Sequence, residues 1–316
     1  MGVLSDRDVV LALTDAAPAT RAVIEAVLDV WPDHARYMRR SLEARTPPQM
    51  AATETLAEAA LLLTDDLPEC AARYRWTCDR LREEELFFHR EGRYRLSTFA
   101  EAEAEVYGDA AYMANYVDGL LLTQVLWYNH AASCDFFLRE TPAMLAPDSR
   151  FLEIGPGHGL MTYMALRDFD LARAEAWDVS SVSLDRTRAA LERLGGADVA
   201  YSVRDVMTLE PQGERFDFVV LSEVLEHLED PKAAMRRIRH VVDDARGVVF
   251  VNVPINSPSP DHLHLMREPD DARALLTECG FVIEREAFFA TQATPLERAL
   301  RNRVSVSACM LARPRA

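Results

Sequence analysis

From Ser149 onward, short apolar runs alternate with amphipathic segments, and no other feature of the chain restricts its fold as strongly. The runs fall at residues 150–154, 173–177, 199–203, 216–221, 248–253, 281–288 and 304–311. Helical periodicity separates them at 160–169, 183–194, 231–242 and 269–279. Runs apolar on both faces suit strands covered by helices above and below, the usual condition of a parallel sheet. The alternation therefore predicts an α/β fold with a doubly covered sheet. Only a short helical pattern at 295–301 separates the last two runs, so an antiparallel edge is expected there.

The first 148 residues have a different rhythm. Apolar residues recur at helical spacing, as in Val23, Ile24, Val27 and Leu28, and again in Leu56, Ala59, Ala60 and Leu63. Breaks fall at Pro47-Pro48 and at 65–68. After a helical stretch at 70–84, residues 86–89 and 93–96 read as two short strands around a turn holding Gly92, the pattern of a winged helix. Residues 111–138 form one long, mostly apolar helical pattern, expected to pack between the halves or roof a cavity. The expected organisation is a helical domain at 1–148 and an α/β domain at 149–316.

Charge narrows the partners. The chain holds 35 basic and 51 acidic residues, a formal net charge of −16, which disfavours phosphate backbones and anionic membranes. Residues 71–95 hold seven arginines against five acids, a nearly balanced face that argues against DNA binding by the wing. The five cysteines contain no CxxC pair, the N-terminus shows no leader pattern, and the most apolar stretch is too short to span a bilayer. A cytoplasmic protein is expected.

The stretch Phe151-Leu-Glu153-Ile-Gly155-Pro-Gly157-His-Gly159-Leu160 carries the chemistry. A strand ends in glycines at alternate positions and a helix begins at once. Glycine lets the backbone turn tightly and approach a ligand beside a helix N-terminus. Asp178 ends the second strand, where a carboxylate can accept from both ribose hydroxyls of an adenosine ligand, and Asp205 closes the third, where one can accept from an adenine amino group. Ser222 and Glu223 put polar groups at the end of the fourth. In an open parallel sheet these strand ends converge.

In these residues the chain resembles the class I S-adenosylmethionine-dependent methyltransferases of the small-molecule branch. The glycine stretch looks like the family's first motif, and residues 216–231, with Ser-Glu-Val-Leu-Glu-His-Leu-Glu-Asp-Pro, look like a motif common in that branch. The resemblance spans roughly 149–313 and implies a Rossmann-like, seven-stranded methyltransferase sheet whose last strand is antiparallel. It implies that Glu153, Gly155, Gly157, Asp178, Val179, Asp205, Val206 and Ser222 hold S-adenosylmethionine. More loosely, residues 70–96 resemble the winged-helix dimerisation region of O-methyltransferases, which implies a homodimer through the N-terminal half. A nicotinamide enzyme fits less well, since Leu160 stands where the last glycine of G-x-G-x-x-G belongs.

Methyl transfer needs an acceptor lone pair or carbanion in line with the methyl, and often a base for the acceptor's proton. After the fourth strand, Glu223, Glu226 and His227 are spaced i, i+3, i+4, hence on one face of an expected helix. The loop after the fifth strand carries His262 and His264, and His262 is the favoured base. The catalytic candidates are thus His262, Glu223 and His227. Glu223, Glu226, His227 and a loop histidine also make a ligand set for a divalent cation, although the reading here is without a metal. Tyr128 and His130 precede the first strand and are candidates to touch the cofactor or acceptor. The expected function is methyl transfer to a small molecule, at nitrogen, oxygen or an acidic carbon, in bacterial natural-product biosynthesis. The alternative is a winged-helix regulator that senses S-adenosylmethionine without turnover.

Overall fold

The computed structural model describes residues 4–196, 198–210 and 213–315. The chain divides into two compact units. One comprises Met1–Asp135 with Ser257–His262 and Phe289–Val306, and the other Phe136–Asn256, Leu263–Phe288 and Ser307–Ala316.

The first unit is helical: α1 (Asp6–Leu13), α2 (Pro18–Val30), α3 (Ala35–Glu43), α4 (Pro47–Leu63), α5 (Leu67–Glu91), α6 (Phe99–Ala102), α7 (Ala110–Leu126) and the first part of α8 (Tyr128–Glu140). Its starts are written locally. Thr46 and Gln49 form a reciprocal capping box on α4 with proline at its first position, and the Asp66 carboxylate accepts from the Glu69 amide to start α5. The expected wing is absent. Residues 86–91 continue α5, and among the described residues no strand precedes residue 149. Gly92, read as a hairpin turn, instead ends the helix in the left-handed conformation, its N–H donating to the Phe88 carbonyl at 2.8 Å. Beyond it the chain folds back, and Arg95 pairs with the buried Glu84 at 2.8 Å. A helical face with Tyr74, Thr77, Glu84 and Phe88 buried outcompeted a local strand preference.

The long apolar pattern is also two helices. Trp127 is extended between α7 and α8. Two of the carbonyls near that break are bound from α3 and from the second residue beyond its end: Ser41 Oγ donates to Leu126 O at 2.8 Å and Arg45 Nη1 to Val125 O at 2.9 Å. Gly119 lies where α7 crosses α5, since a Cβ there would stand 2.1 Å from Thr77 Oγ1 and 2.8 Å from the Arg73 carbonyl. Among the described residues, no helix is long and apolar enough to cross a membrane.

The second unit is built on a seven-stranded mixed sheet of order β3-β2-β1-β4-β5-β7-β6. Its strands are β1 (Ser149–Ile154), β2 (Leu171–Asp178), β3 (Val199–Val203), β4 (Phe218–Ser222), β5 (Val248–Ile255), β6 (Phe281–Ala290) and β7 (Val306–Pro314). The pairings from β3 through β5 are all parallel. Helices α9 (Leu160–Asp168), α10 (Ser181–Arg193), α11 (Pro231–Ile238) and α12 (Pro269–Thr277) follow strands as the alternation required; α13 (Leu296–Arg301) belongs to the helical unit. Every residue of β5 is buried. Phe137 packs its ring 5.0 Å from that of Phe250 and 5.9 Å from that of Phe218, seating the end of α8 on the sheet. The order places β1 beside β4, with β2 and β3 running one way and β5 the other, so the strand order reverses between β1 and β4. Crevices at such a reversal, outside the strands' carboxyl ends, are where open α/β sheets bind ligands.

Candidate functional site

The loop between β1 and α9 is made by its glycines. Gly155, Gly157 and Gly159 all lie at positive φ, +66°, +51° and +72°, a region that costs other residues strain. Each closes the turn differently. Gly155 N–H extends the β1–β2 ladder to the Trp177 carbonyl at 2.8 Å, and Gly159 N–H closes on the Pro156 carbonyl at 2.7 Å. A Cβ on Gly155 would sit 2.6 Å from Val224 Cγ2, whereas one on Gly157 would meet nothing within 4 Å. Gly157 is therefore exposed backbone at the mouth of the loop. Glu153 lies behind the loop, 2% exposed, its Oε2 accepting from both the amide (2.8 Å) and the hydroxyl of Thr162 on α9. Burial pushes its carboxyl up to about 8, against the pull of the Thr162 hydrogen bonds. The side chain is a brace across the turn.

Asp178 ends β2 in register beside this loop, since Trp177 pairs with Ile154. Its two oxygens accept from Ser180 N–H at 2.8 Å and Ser183 Oγ at 2.9 Å, which fixes the carboxylate at the start of α10. Val179 follows it, 60% exposed. Beyond β3, the exposed Asp205 accepts from Met207 N–H at 2.8 Å and opens a short 3-10 turn in which Val206 is buried. Apolar Val179 and carboxylates at two adjacent strand exits are groups that an adenosine could use, and the open face of Gly157 leaves room for backbone approach. These residues fit S-adenosylmethionine.

At the exit of β4, Ser222 Oγ accepts from Asn252 Nδ2 at 3.2 Å. Glu223 then takes φ +56°, and its N–H donates to the Asn252 carbonyl at 2.9 Å. The expected helix face of Glu223, Glu226 and His227 does not form: residues Leu225–His227 are a single 3-10 turn, and the following helix waits for Pro231. The left-handed residue at 223 prevents a helix from starting there. The Glu223 carboxyl faces that of Glu226 and the Asn252 amide, and burial raises its titration. Its Oε1 is enclosed and makes no hydrogen bond. Glu226 is fully buried, with His227 Nε2 3.9 Å from its Oε1, and its backbone carbonyl accepts from the amides of both Leu263 and His264 at 2.9 Å.

His262 belongs to the helical unit. Its Nδ1 is 2.7 Å from the Ser257 carbonyl, so the ring donates there and Nε2 is left as the basic atom. Tyr94 holds the same segment: its hydroxyl accepts from Ser257 N–H at 3.0 Å, and its ring meets that of His262 edge-on at 5.9 Å. Tyr116 donates to the buried Asp261 at 3.0 Å. Thus Gly155, Gly157, Asp178 and Ser222–His227 gather on the strand exits of one unit, with Asp205 at the next exit along, while His262 is anchored in the other. Sequence reasoning missed Thr162, Asn252, Tyr94 and Tyr116. Asn252 alone carried a signal, as a polar residue inside an otherwise apolar strand.

Residues 127–302, more than half of the chain, match a family model described as a methyltransferase domain. Over 121 residues the chain is 32% identical to a ubiquinone biosynthesis O-methyltransferase of Neisseria meningitidis serogroup C, covering 37% of this chain and 48% of that protein. It is 35% identical over 103 residues to the protein of that name from Sinorhizobium fredii, covering 32% and 40%. The chain thus spans less than half the length of these curated relatives. Among solved structures, the mitomycin 7-O-methyltransferase MmcR superposes with a TM-score of 0.51 at 17% identity, covering 81% of this chain and 74% of that one, a likeness of fold. With the glycine turn, the strand order and the family match in agreement, the chain belongs to the methyltransferase-domain family.

Proposed function

We propose that this protein transfers the methyl group of S-adenosylmethionine to a small-molecule acceptor, at oxygen, nitrogen or an acidic carbon. The observation that carries the reading is the row of strand exits: three positive-φ glycines after β1 at the reversal of strand order, with Asp178 at the end of the neighbouring strand. When bound, the cofactor supplies an electrophilic methyl on a sulfonium. In this reading Gly155 and Gly157 let backbone approach the cofactor, and Glu153 keeps their turn in place. Asp178 accepts from the ribose hydroxyls, Asp205 from the adenine amino group, and Val179 and Val206 border the base. Ser222 serves the methionine end.

Glu223 and His227 orient the acceptor, and His262 Nε2 takes its proton, the tautomer being set by the Ser257 carbonyl. The curated relatives are named for O-methylation in ubiquinone biosynthesis, which favours a small acceptor. None of the five cysteines is in a disulfide, in keeping with the cytoplasm, and bacterial natural-product biosynthesis is the proposed setting. The test is titration calorimetry of S-adenosylmethionine and its demethylated product against the wild type and Asp178→Ala. Binding by the wild type and its loss in the variant are expected. Equal binding by the two proteins, or none by either, overturns the reading.

A further inference from the structure

Among the described residues, no carboxylate neutralises a cation that the helical unit buries. Arg45 is 8% exposed and follows the end of α3, where Tyr37, Ser41 and Arg45 succeed one another at i, i+4, i+8. Its Nη atoms are used within the fold, reaching Thr53 Oγ1, Val125 O at 2.9 Å and Ser41 Oγ at 3.0 Å. Those partners are neutral. Among the described residues no carboxylate lies within ion-pair range of Arg45, and the ionisable groups that sense its charge most are the phenols of Tyr37 and Tyr128. A buried guanidinium without an anion is costly, because desolvation is repaid only when an opposite charge is at hand. Burial lowers it to about 10, so it stays charged at neutral pH.

Three polar atoms around it are enclosed and unmatched: Arg45 Nε, Tyr37 Oη and His130 Nδ1. Their hydrogen-bonding senses are fixed. Arg45 Nε can only donate. The His130 ring donates to the Thr123 carbonyl and burial lowers it to about 4, so the ring is neutral and Nδ1 is a lone pair. Tyr37 keeps its proton, since burial raises the phenol.

The surrounding rings invert the usual arrangement. Tyr and Trp ordinarily bury the ring and show the polar tip to water. Here Tyr37 and His130 are half-buried while their polar atoms are enclosed. Flat surfaces flank them: Trp31 stacks on His34 at 4.0 Å, His34 on Tyr37 at 4.7 Å, and Trp127 lies 5.2 Å from His130. Tyr74 links the two sets, within 2.8 Å of His34 Nε2 and accepting from Trp127 Nε1 at 3.1 Å.

We infer that this cluster is a binding site for a planar aromatic anion. One anionic oxygen accepts from Arg45 Nε and Tyr37 Oη, a neighbouring hydroxyl donates to His130 Nδ1, and the ring lies among the aromatic side chains. The site is independent of the methyl-transfer reading and is measured without cofactor. The probe is salicylate, which carries a carboxylate beside a hydroxyl on a flat ring, titrated by calorimetry into the full chain.

Saturable binding is expected, weakened at least tenfold in Tyr37→Phe and in Arg45→Lys, and at least tenfold weaker for benzyl alcohol, which lacks the charge. Arg45 also holds the end of α7, so its variant risks the fold. Tyr37→Phe does not, because it removes a hydroxyl with no partner and should leave the melting temperature unchanged or raised. Failure of salicylate to bind, or equal binding to the wild type and Tyr37→Phe, overturns the site and leaves a buried water as the occupant.

Discussion

Two glutamates stand at the exits of neighbouring strands and have opposite fates. Glu153, on β1, and Glu223, just beyond β4, are both enclosed, and burial raises the titration of both. Glu153 is met by two donors from Thr162 and keeps ordinary strand backbone. Glu223 sits at φ +56° with one oxygen unmatched. A raised titration alone does not mark a working residue, because burial produces it in either setting. The distinguishing signs are left-handed backbone and an unanswered polar atom, which a fold tolerates where a ligand completes the site.

The largest expected effect is the pH dependence of stability that Glu153 brings. Glu153 titrates near 8 in the folded protein and near 4.5 unfolded, so between these values only the folded state holds the proton. Its stabilising contribution is full below about 4.5 and is lost as pH rises toward 8, on the order of 4 kcal/mol over that window. Chemical denaturation at several pH values should show this decline in the wild type and a flatter profile in Glu153→Gln. Matching profiles would remove Glu153 from the role of buried brace.

Glu223→Gln should behave the other way. Turnover is expected to fall about 100-fold, the scale of a lost acid–base or orienting group, with little change in melting temperature. If instead Glu223→Gln melts early and turns over normally, the unanswered oxygen has no function and the contrast collapses. Asp178→Ala comes next. Losing charge-assisted hydrogen bonds worth about 2 kcal/mol should weaken S-adenosylmethionine roughly 30-fold in calorimetry. Demethylated product should lose the same factor, since the ribose is common to both.

Much of this contrast was legible in the chain and some was not. The strand–helix alternation and the alternate glycines are local signals, so the sheet and its first turn could be read directly. Glu153 and Glu223 were both picked out, but their difference was not, because Thr162 and Asn252 reach them only through the fold. The wing failed for a related reason: residues 86–89 favour strands locally, yet the buried face of α5 and the Gly92 cap decide their state. The polar cluster around Arg45 was invisible, as its members come from α3, the second residue after it, and α8. Periodicity marks an apolar face and says nothing about which polar atoms are left unmatched behind it.

The smallest effect tests where the two exits touch. Gly155 and Gly157 share left-handed backbone, so alanine at either should cost about 1 kcal/mol for the conformation alone. Only Gly155 faces the β4 exit, with Val224 Cγ2 2.6 Å from the place of its Cβ. Gly155→Ala must therefore move Val224 and, through the next residue, Glu223. It should destabilise more than Gly157→Ala and also lower turnover. Gly157→Ala meets open space, so its stability loss should stay near the backbone cost, while its added methyl should weaken cofactor binding if the proposed site is right. Denaturation midpoints measured beside cofactor affinities read both quantities. If the two variants lose stability equally, the loop and the β4 exit are not mechanically joined, and Glu223 owes its strained backbone to something other than its neighbour across the reversal.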